Sequence, residues 1–504
     1  MNLYKTAAVV TLFTAFEHSL GFLYRIILSR TLGSEGLGVY QVALSVFAVF
    51  LTISSSGLPI TLSRVISKHR AQKYKRGEHA ATSAAMLISL MFSLPITILL
   101  FVLRAPFSQI FSDPRCADLF YILIFGLSFT SLYSIIRGSF WGNKRFFAYS
   151  FIELVEEIIM IAVGVLMLIV LKTGLADVNI AAIAVLVSYL CSFVIAVFYF
   201  FLKGGKLSSP RGEFLPLLKS SLPVTAMRTS SSLVGSLISV IFPMRLMAAG
   251  ASSSKALAEY GIVYGMVAPV IFIPNTLISS MALVLVPELS ECYYKKETEK
   301  LSALVKRAIT SALLIAGVLI PFFIACGESV GIFLFASAES GRMIASCALM
   351  LVPMSLTMIS TSILNSMNCE KQTLLIFLLG SAAMLVCVWT LPALLGSGAL
   401  LVGMAADFTV TAVCSLILLR KKTGRFAVGK YILKLLLLTV PVTLLGVLVR
   451  MLLMRYLSYV PALVLTILLI GGMELVLLQL LGLVDLRKYF KKIFHRRRAK
   501  SAAI

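Results

Sequence analysis

Residues 151–202 read "FIELVEEIIMIAVGVLMLIVLKTGLADVNIAAIAVLVSYLCSFVIAVFYFFL". The charged side chains here are Glu153, Glu156, Glu157, Lys172 and Asp177, so two apolar runs, 151–171 and 180–202, flank a short connector. Each run is close to the ~20 residues that an α-helix needs to cross a bilayer core. The stretch therefore predicts a pair of spanning helices joined by a tight loop.

The same pattern repeats outward in both directions. Apolar windows predict fourteen spans, at 7–28, 39–60, 81–103, 119–136, 151–171, 180–202, 222–247, 260–286, 304–325, 343–364, 373–395, 400–419, 433–453 and 462–483. "LLGSGAL" (394–400) reads either as a turn between two helices or as a break inside one. Composition agrees, because 59% of the 504 residues are hydrophobic and 13% are charged, against ~45–50% and ~25% in soluble domains. Mean hydropathy is +0.99. A water-soluble globule is excluded. The net charge of +24 would otherwise suggest a nucleic-acid partner, but none is expected, since the cations fall between the apolar runs.

That distribution sets the orientation. Lys and Arg in short connectors stay on the cytoplasmic side, and alternate connectors beginning with the N-terminal segment hold 34 of the 45 basic residues. Both termini are expected to be cytoplasmic. Glu17 and His18 interrupt the first apolar stretch, which argues against a cleavable signal peptide. Eight scattered cysteines without C-x-x-C spacing indicate neither a disulfide framework nor a metal site.

A weak duplication runs through the chain. Pro59, Leu62 and Ser63 correspond to Pro287, Leu289 and Ser290, and Ser139, Asn143 and Lys144 to Ser366, Asn368 and Lys371, both at offsets near 227. The expected fold is an all-α polytopic membrane protein with two six-helix lobes. The predicted divisions are an N-lobe at 1–203, a cytoplasmic linker at 204–217, a C-lobe at 218–420, two further helices at 431–484 and a basic tail at 485–504. In that tail Tyr489, Phe490, Ile493 and Phe494 alternate with cations, the pattern of an interfacial helix on anionic lipid.

Ionisable residues inside spans are costly and usually face a cavity or a partner. His18, Gly21 and Arg25 share one face of the first helix, with Glu17 at its edge. Arg25 suits a diphosphate because its planar fork forms paired charge-assisted hydrogen bonds. The alternative is that it pairs with Glu17 or reaches the interface beside Arg30. Arg228 opens the seventh span before four hydroxyl residues, Thr229 to Ser232. Arg64 and Arg137 sit at helix ends, where Arg64 could receive an incoming anion and Arg137 reads mainly as a topology signal. Glu153, Glu156 and Glu157 share one helix face, either pairing with Arg137, Lys144 and Arg145 or lining a cavity mouth. Asp407 and Glu474 are lone carboxylates in apolar runs, candidates for a coupling ion or proton. Pro269 and Pro274 mark a hinge candidate.

The segments "GFLYRIILSRTLGSEGLGVYQ" (21–41), "GLPITLSRVIS" (57–67), "IIRGSFWGNKR" (135–145), "SLPVTAMR" (221–228) and "LVPELSE" (285–291) resemble the stage V sporulation protein B branch of polysaccharide transporters. That branch belongs to the multidrug/oligosaccharidyl-lipid/polysaccharide (MOP) exporter superfamily, beside the lipid II flippases. The resemblance implies two six-helix bundles plus two helices in the bacterial plasma membrane. It also implies a flippase carrying polyprenyl-diphosphate-linked saccharides from the inner to the outer leaflet by alternating access, for wall, cortex or capsule synthesis, and it favours an Arg at position 228. Diphosphate ligands are then Arg25, Arg228 and Arg64; cavity or coupling residues are Glu17, His18, Glu153, Glu156, Glu157 and Asp407. No cofactor, no metal and a monomeric carrier are expected, with ion or membrane-potential coupling, since no G-x-x-x-x-G-K-[ST] loop occurs. The rivals are a drug/cation antiporter of the related multidrug branch and, with less support from these short external loops, a membrane glycosyltransferase or polymerase; no enzyme activity is expected.

Overall fold

A computed structural model describes residues 3–55, 57–171, 177–424 and 429–480. The basic tail at 485–504 lies outside the described residues. Everything ordered into regular structure is helical, with no strand among the described residues. Ten helices are long and apolar enough to cross a membrane, and twelve qualify if two bent pairs each count as one span, among the described residues.

The described helices fall into two compact units, 3–266 with 385–403, and 267–384 with 404–480. The first unit holds α1 (Leu3–Ser55), α2 (Leu58–Ala71), α3 (Lys75–Val102), α4 (Arg104–Ser108), α5 (Pro114–Phe125), α6 (Leu127–Gly142), α7 (Phe146–Val165), α8 (Asp177–Leu202), α9 (Phe214–Ala248) and α10 (Ser253–Tyr260). α1 changes direction at Gly33, whose φ of 68° lies in the region that favours glycine. Its second half packs against α9 and α10. Gly38 and Gly261 permit that approach: a Cβ on Gly38 would stand 1.9 Å from the Leu257 carbonyl, and one on Gly261 2.0 Å from that of Ser34. This backbone contact holds α10 against α1 within the first unit.

The interior of this unit sets large apolar side chains against alanines where helices cross. Leu58, Leu62 and Ile66 of α2 mesh with Ala81, Ala84, Ala85 and Ile88 of α3. Tyr133, Ile136 and Phe140 of α6 meet Ile152 of α7 and Ala196 of α8. Many large apolar side chains point outward instead, among them Ile98, Phe198 and Leu202 at 62–65% exposure, the inverse of a soluble surface and the face that meets lipid.

The second unit opens with α11 (Ala268–Ile271) and α12 (Ile273–Tyr294), followed by α13 (Thr298–Phe335), α14 (Ala338–Cys347) and α15 (Leu351–Ser366). Around α13 pack α12, α14, α15, α19 (Gly429–Tyr456) and α20 (Tyr459–Leu480). Pro269 and Pro274 flank a 42° bend between residues 253–271 and 273–282. The short α17 (Pro392–Leu395) lies in the 385–403 stretch of the first unit, and α16 (Glu370–Thr390) and α18 (Gly398–Thr423) precede and follow it in the chain. Gly396, with φ 54°, separates α17 from α18, so "LLGSGAL" is a turn between helices.

Candidate functional site: a cavity lined by arginines, carboxylates and hydroxyls

α6 and α7 create the charged heart of the first unit. On α6, Tyr133, Arg137 and Trp141 follow at four-residue intervals and so share a face. On α7, Tyr149, Glu153, Glu156 and Glu157 share the facing stripe. Arg137 forms an ion pair with Glu153 and donates a 2.9 Å hydrogen bond to the Tyr149 hydroxyl. Its guanidinium carbon lies 4.5 Å from the Tyr149 ring centroid and 5.3 Å from that of Tyr133. Such cation–π contacts gain strength where water is excluded. The Arg137 Nε is buried with no hydrogen-bond partner among the described residues. Arg137 is thus fixed on several sides while one donor remains available.

Beside it lies a cavity of about 630 Å³, within the ~300–1,000 Å³ usual for ligand sites. Arg137 and Glu156 line it together with Arg228 of α9, a ring of hydroxyls that includes Thr52, Ser55, Ser63, Thr130 and Ser134, and the aromatic residues Tyr133, Trp141, Tyr149 and Tyr189. Arg228 is exposed and makes no ion pair among the described residues. Two guanidinium groups from different helices therefore share one cavity.

The other expected residues are distributed around it. Arg25 is half-buried on α1 and lies within electrostatic reach of Tyr40 and Glu157. It makes no ion pair with Glu17, and Glu157 lies against Gly21 one turn away. Glu17 shares the electrostatic neighbourhood of Glu153, Glu156, Glu157 and Arg137. His18 and Arg64 are exposed, and neither lines the cavity, although Ser63 does. Of the three cations suggested for the α7 carboxylates, Arg137 alone pairs with one, and Arg145 instead donates to the Lys203 carbonyl at 2.9 Å. In the second unit Asp407 accepts from Thr411 Oγ1 at 3.3 Å. Glu474 is fully buried there, and neither of its carboxylate oxygens has a partner among the described residues.

Reading the sequence for charge alone undervalued Arg137 and passed over the tyrosines. The signal that could have found them is the four-residue spacing of Tyr133, Arg137 and Trp141, followed sixteen residues after Arg137 by a carboxylate on the next helix.

A second polar cluster ties together α1, α10 and the start of α5 in the first unit. Arg115 Nη2 reaches Glu35 Oε1 at 2.5 Å and Asp113 Oδ2 at 2.9 Å. Ser254 Oγ donates to Glu35 Oε2 at 2.6 Å, and Ser253 Oγ donates to Asp113 Oδ2 at 3.0 Å. Asp113 also caps α5 by accepting from the Arg115 backbone N–H at 2.9 Å. Arg115 holds the Asp113 carboxyl below the usual carboxylate range.

A helical array with lipid-facing apolar sides around a cavity that holds charged side chains defines a multi-pass membrane protein. Residues 3–293, more than half of the chain, match the family of polysaccharide biosynthesis proteins, and the chain belongs to that family. Stage V sporulation protein B of Bacillus subtilis (strain 168) is 24% identical over 318 residues, which is 59% of this chain and 60% of that protein. The match thus spans about three-fifths of that relative's length. Among solved structures, the lipid II flippase MurJ in an inward closed conformation superposes with TM-score 0.68 at 14% identity, covering 94% of this chain and 99% of MurJ. A multidrug resistance MATE family transporter of the MOP superfamily, inward-facing, gives TM-score 0.68 at 18% identity, covering 81% and 94%. The fold is that of MOP-superfamily transporters, in a multi-pass bacterial membrane protein.

Proposed function

We propose that this protein is a flippase, a carrier rather than an enzyme, that moves a polyprenyl-diphosphate-linked saccharide from the inner to the outer leaflet by alternating access. The observation that carries this reading is the convergence of Arg137 and Arg228 on one hydroxyl-lined cavity. An arginine fork matches the oxygens of a diphosphate, and hydrogen bonds to charged groups are each worth ~1.5–3 kcal/mol. Glu153 and the two tyrosine rings keep Arg137 in place, while Arg228 stands ready for the anion. Hydroxyls and tyrosines suit a saccharide headgroup, and the polyprenyl tail stays in lipid. Arg25 and Arg64 act as secondary contacts on the way in or out.

The proposed topology has fourteen spans in two six-helix lobes plus a terminal pair, with both ends cytoplasmic. The 60-residue apolar stretch 12–71 is long enough for two crossings. α7 carries three carboxylates, more than an uninterrupted apolar helix tolerates, yet it occupies the place of a fifth span. The bend at Pro269 and Pro274 serves as the hinge. With the interior negative, outward movement of an anion is favoured by ~2.3 kcal/mol per charge per 100 mV, so membrane potential is a sufficient driving force and the carboxylates Glu17, Glu156, Glu157 and Asp407 supply optional ion coupling.

One observation favours a cation or drug antiporter instead. Glu17, Glu153, Glu156 and Glu157 outnumber Arg25 and Arg137 around α7. Proteoliposomes separate the two readings. Outer-leaflet accessibility of a polyprenyl-diphosphate sugar should rise with the wild type and rise about tenfold more slowly with Arg228→Ala. Equal accessibility with and without protein, together with proton-coupled uptake of an organic cation, would overturn the flippase.

A further inference from the structure

A second cavity of about 430 Å³ lies in the first unit, walled by α3, α6, α8 and the connector 203–213. It is apart from the arginine cavity and shares no lining residue with it. Its volume is within the ~300–1,000 Å³ that small ligands occupy, and apart from Ser83 and Ser208 its wall is apolar. Leu87, Phe201 and Leu207 of that wall are 47%, 51% and 59% exposed, so the cavity opens outward from the helix bundle toward lipid.

The connector closing it is a pinned strap. The Lys206 backbone N–H donates to His79 Nδ1 at 3.3 Å, that of Ser208 to Ser83 Oγ at 3.0 Å, and Arg145 holds the Lys203 carbonyl at 2.9 Å. Two features of the strap point to an occupant. The Ser208 hydroxyl is buried with no hydrogen-bond partner among the described residues, a state that costs stability unless something accepts from it. Lys203, Lys206 and Arg211 are exposed along the strap, and Lys75 and Arg76 are exposed one turn before His79. A hydrocarbon slot, a buried unpaired hydroxyl in its wall and a cationic rim match the acyl chain, ester carbonyl and phosphate of a glycerophospholipid.

We propose that this cavity binds one acyl chain of an anionic glycerophospholipid, with the ester carbonyl accepting from Ser208 Oγ and the headgroup phosphate held by Lys206 and Arg211. A polyprenyl phosphate would leave Ser208 unsatisfied, because its chain carries no carbonyl. Juxtamembrane cations each favour anionic lipid by an amount that falls off within a Debye length, so the rim adds headgroup selectivity to a chain-binding slot. The site is independent of the cargo reading above.

Native mass spectrometry of the full chain tests this, with dioleoylphosphatidylglycerol, dioleoylphosphatidylcholine and undecaprenyl phosphate as probes. Wild type should retain one phosphatidylglycerol in preference to phosphatidylcholine. Val197→Phe, which fills the slot, should abolish retention, and Ser208→Ala should weaken it. The surface pair Lys206→Gln/Arg211→Gln should erase a headgroup preference of about thirtyfold, from ~1 kcal/mol per cation, without changing the melting temperature. Equal retention of the two phospholipids by wild type, unchanged preference in the surface pair, or displacement of phosphatidylglycerol by equimolar undecaprenyl phosphate would each overturn the proposal. Should Val197→Phe fail to fold, the surface pair decides alone.

Discussion

The carboxylate of Glu157 lies against the bare backbone of Gly21: a Cβ at position 21 would stand 2.8 Å from Glu157 Oε1. α1 and α7 thereby bring an acid onto the helix face that also carries Arg25. Nothing bulkier than a hydrogen leaves room for that carboxylate in its present position.

Gly21→Ala tests whether the placement matters. The clashing atom is the end of a flexible side chain, so the fold should absorb the change, and alanine is favoured over glycine in a helix by ~1 kcal/mol. The expected outcome is an unchanged or slightly raised melting temperature with slower headgroup translocation. Wild-type transport in this variant would show that the position of Glu157 against α1 has no part in function.

Arg137→Ala should behave differently, because it leaves Glu153 without its cation in a largely enclosed place. Breaking an enclosed pair by removing one partner costs on the order of 3–5 kcal/mol. Arg137→Ala/Glu153→Ala should recover most of that stability and none of the transport. Melting temperature and the flipping assay, measured together on both variants, distinguish a scaffold role from a cargo role.

Arg228→Ala should cost little stability, within ~0.5 kcal/mol as for other exposed positions away from special contacts. Losing one charge-assisted contact to cargo should slow translocation by about tenfold or more. A stable variant with unimpaired flipping would remove Arg228 from the site.

The Asp113–Arg115 pair gives a pH prediction. The folded-state pKa of Asp113 is depressed, chiefly by the hydrogen bond from Arg115. Its stabilising contribution is therefore complete above the ordinary carboxylate pKa and is lost only as pH falls through the lowered value. The difference in melting temperature between wild type and Arg115→Ala should be constant from about pH 5 to 8 and shrink below about pH 4. A difference that already shrinks between pH 7 and 6 would contradict the assignment.

How far the sequence could be read follows from the physics of each signal. The span at 180–202 was plain because a bilayer demands long apolar runs whatever their neighbours, and the helix 177–202 is long and apolar enough to cross, whereas the helix over 146–165, with its three carboxylates, is not among the candidate spans of the described residues. The break at Gly396 was ambiguous, since glycine permits a turn without requiring one. For Glu153, Glu156 and Glu157 the shared helix face was visible, but their partners were not. Arg137 looked like a topology signal because its position in sequence, at a helix end, is common to both roles.

What the sequence determined by itself was the class of protein, with its apolar helices, its basic connectors and the helix faces that carry charge, because helical periodicity and burial in lipid act over stretches of twenty residues or fewer. Tertiary structure decided which charges meet. Arg137 and Arg228, ninety-one residues apart in the sequence, line one cavity because α2, α6 and α9 pack side by side. Contacts between distant helices depend on side-chain packing across crossings, which no local pattern encodes.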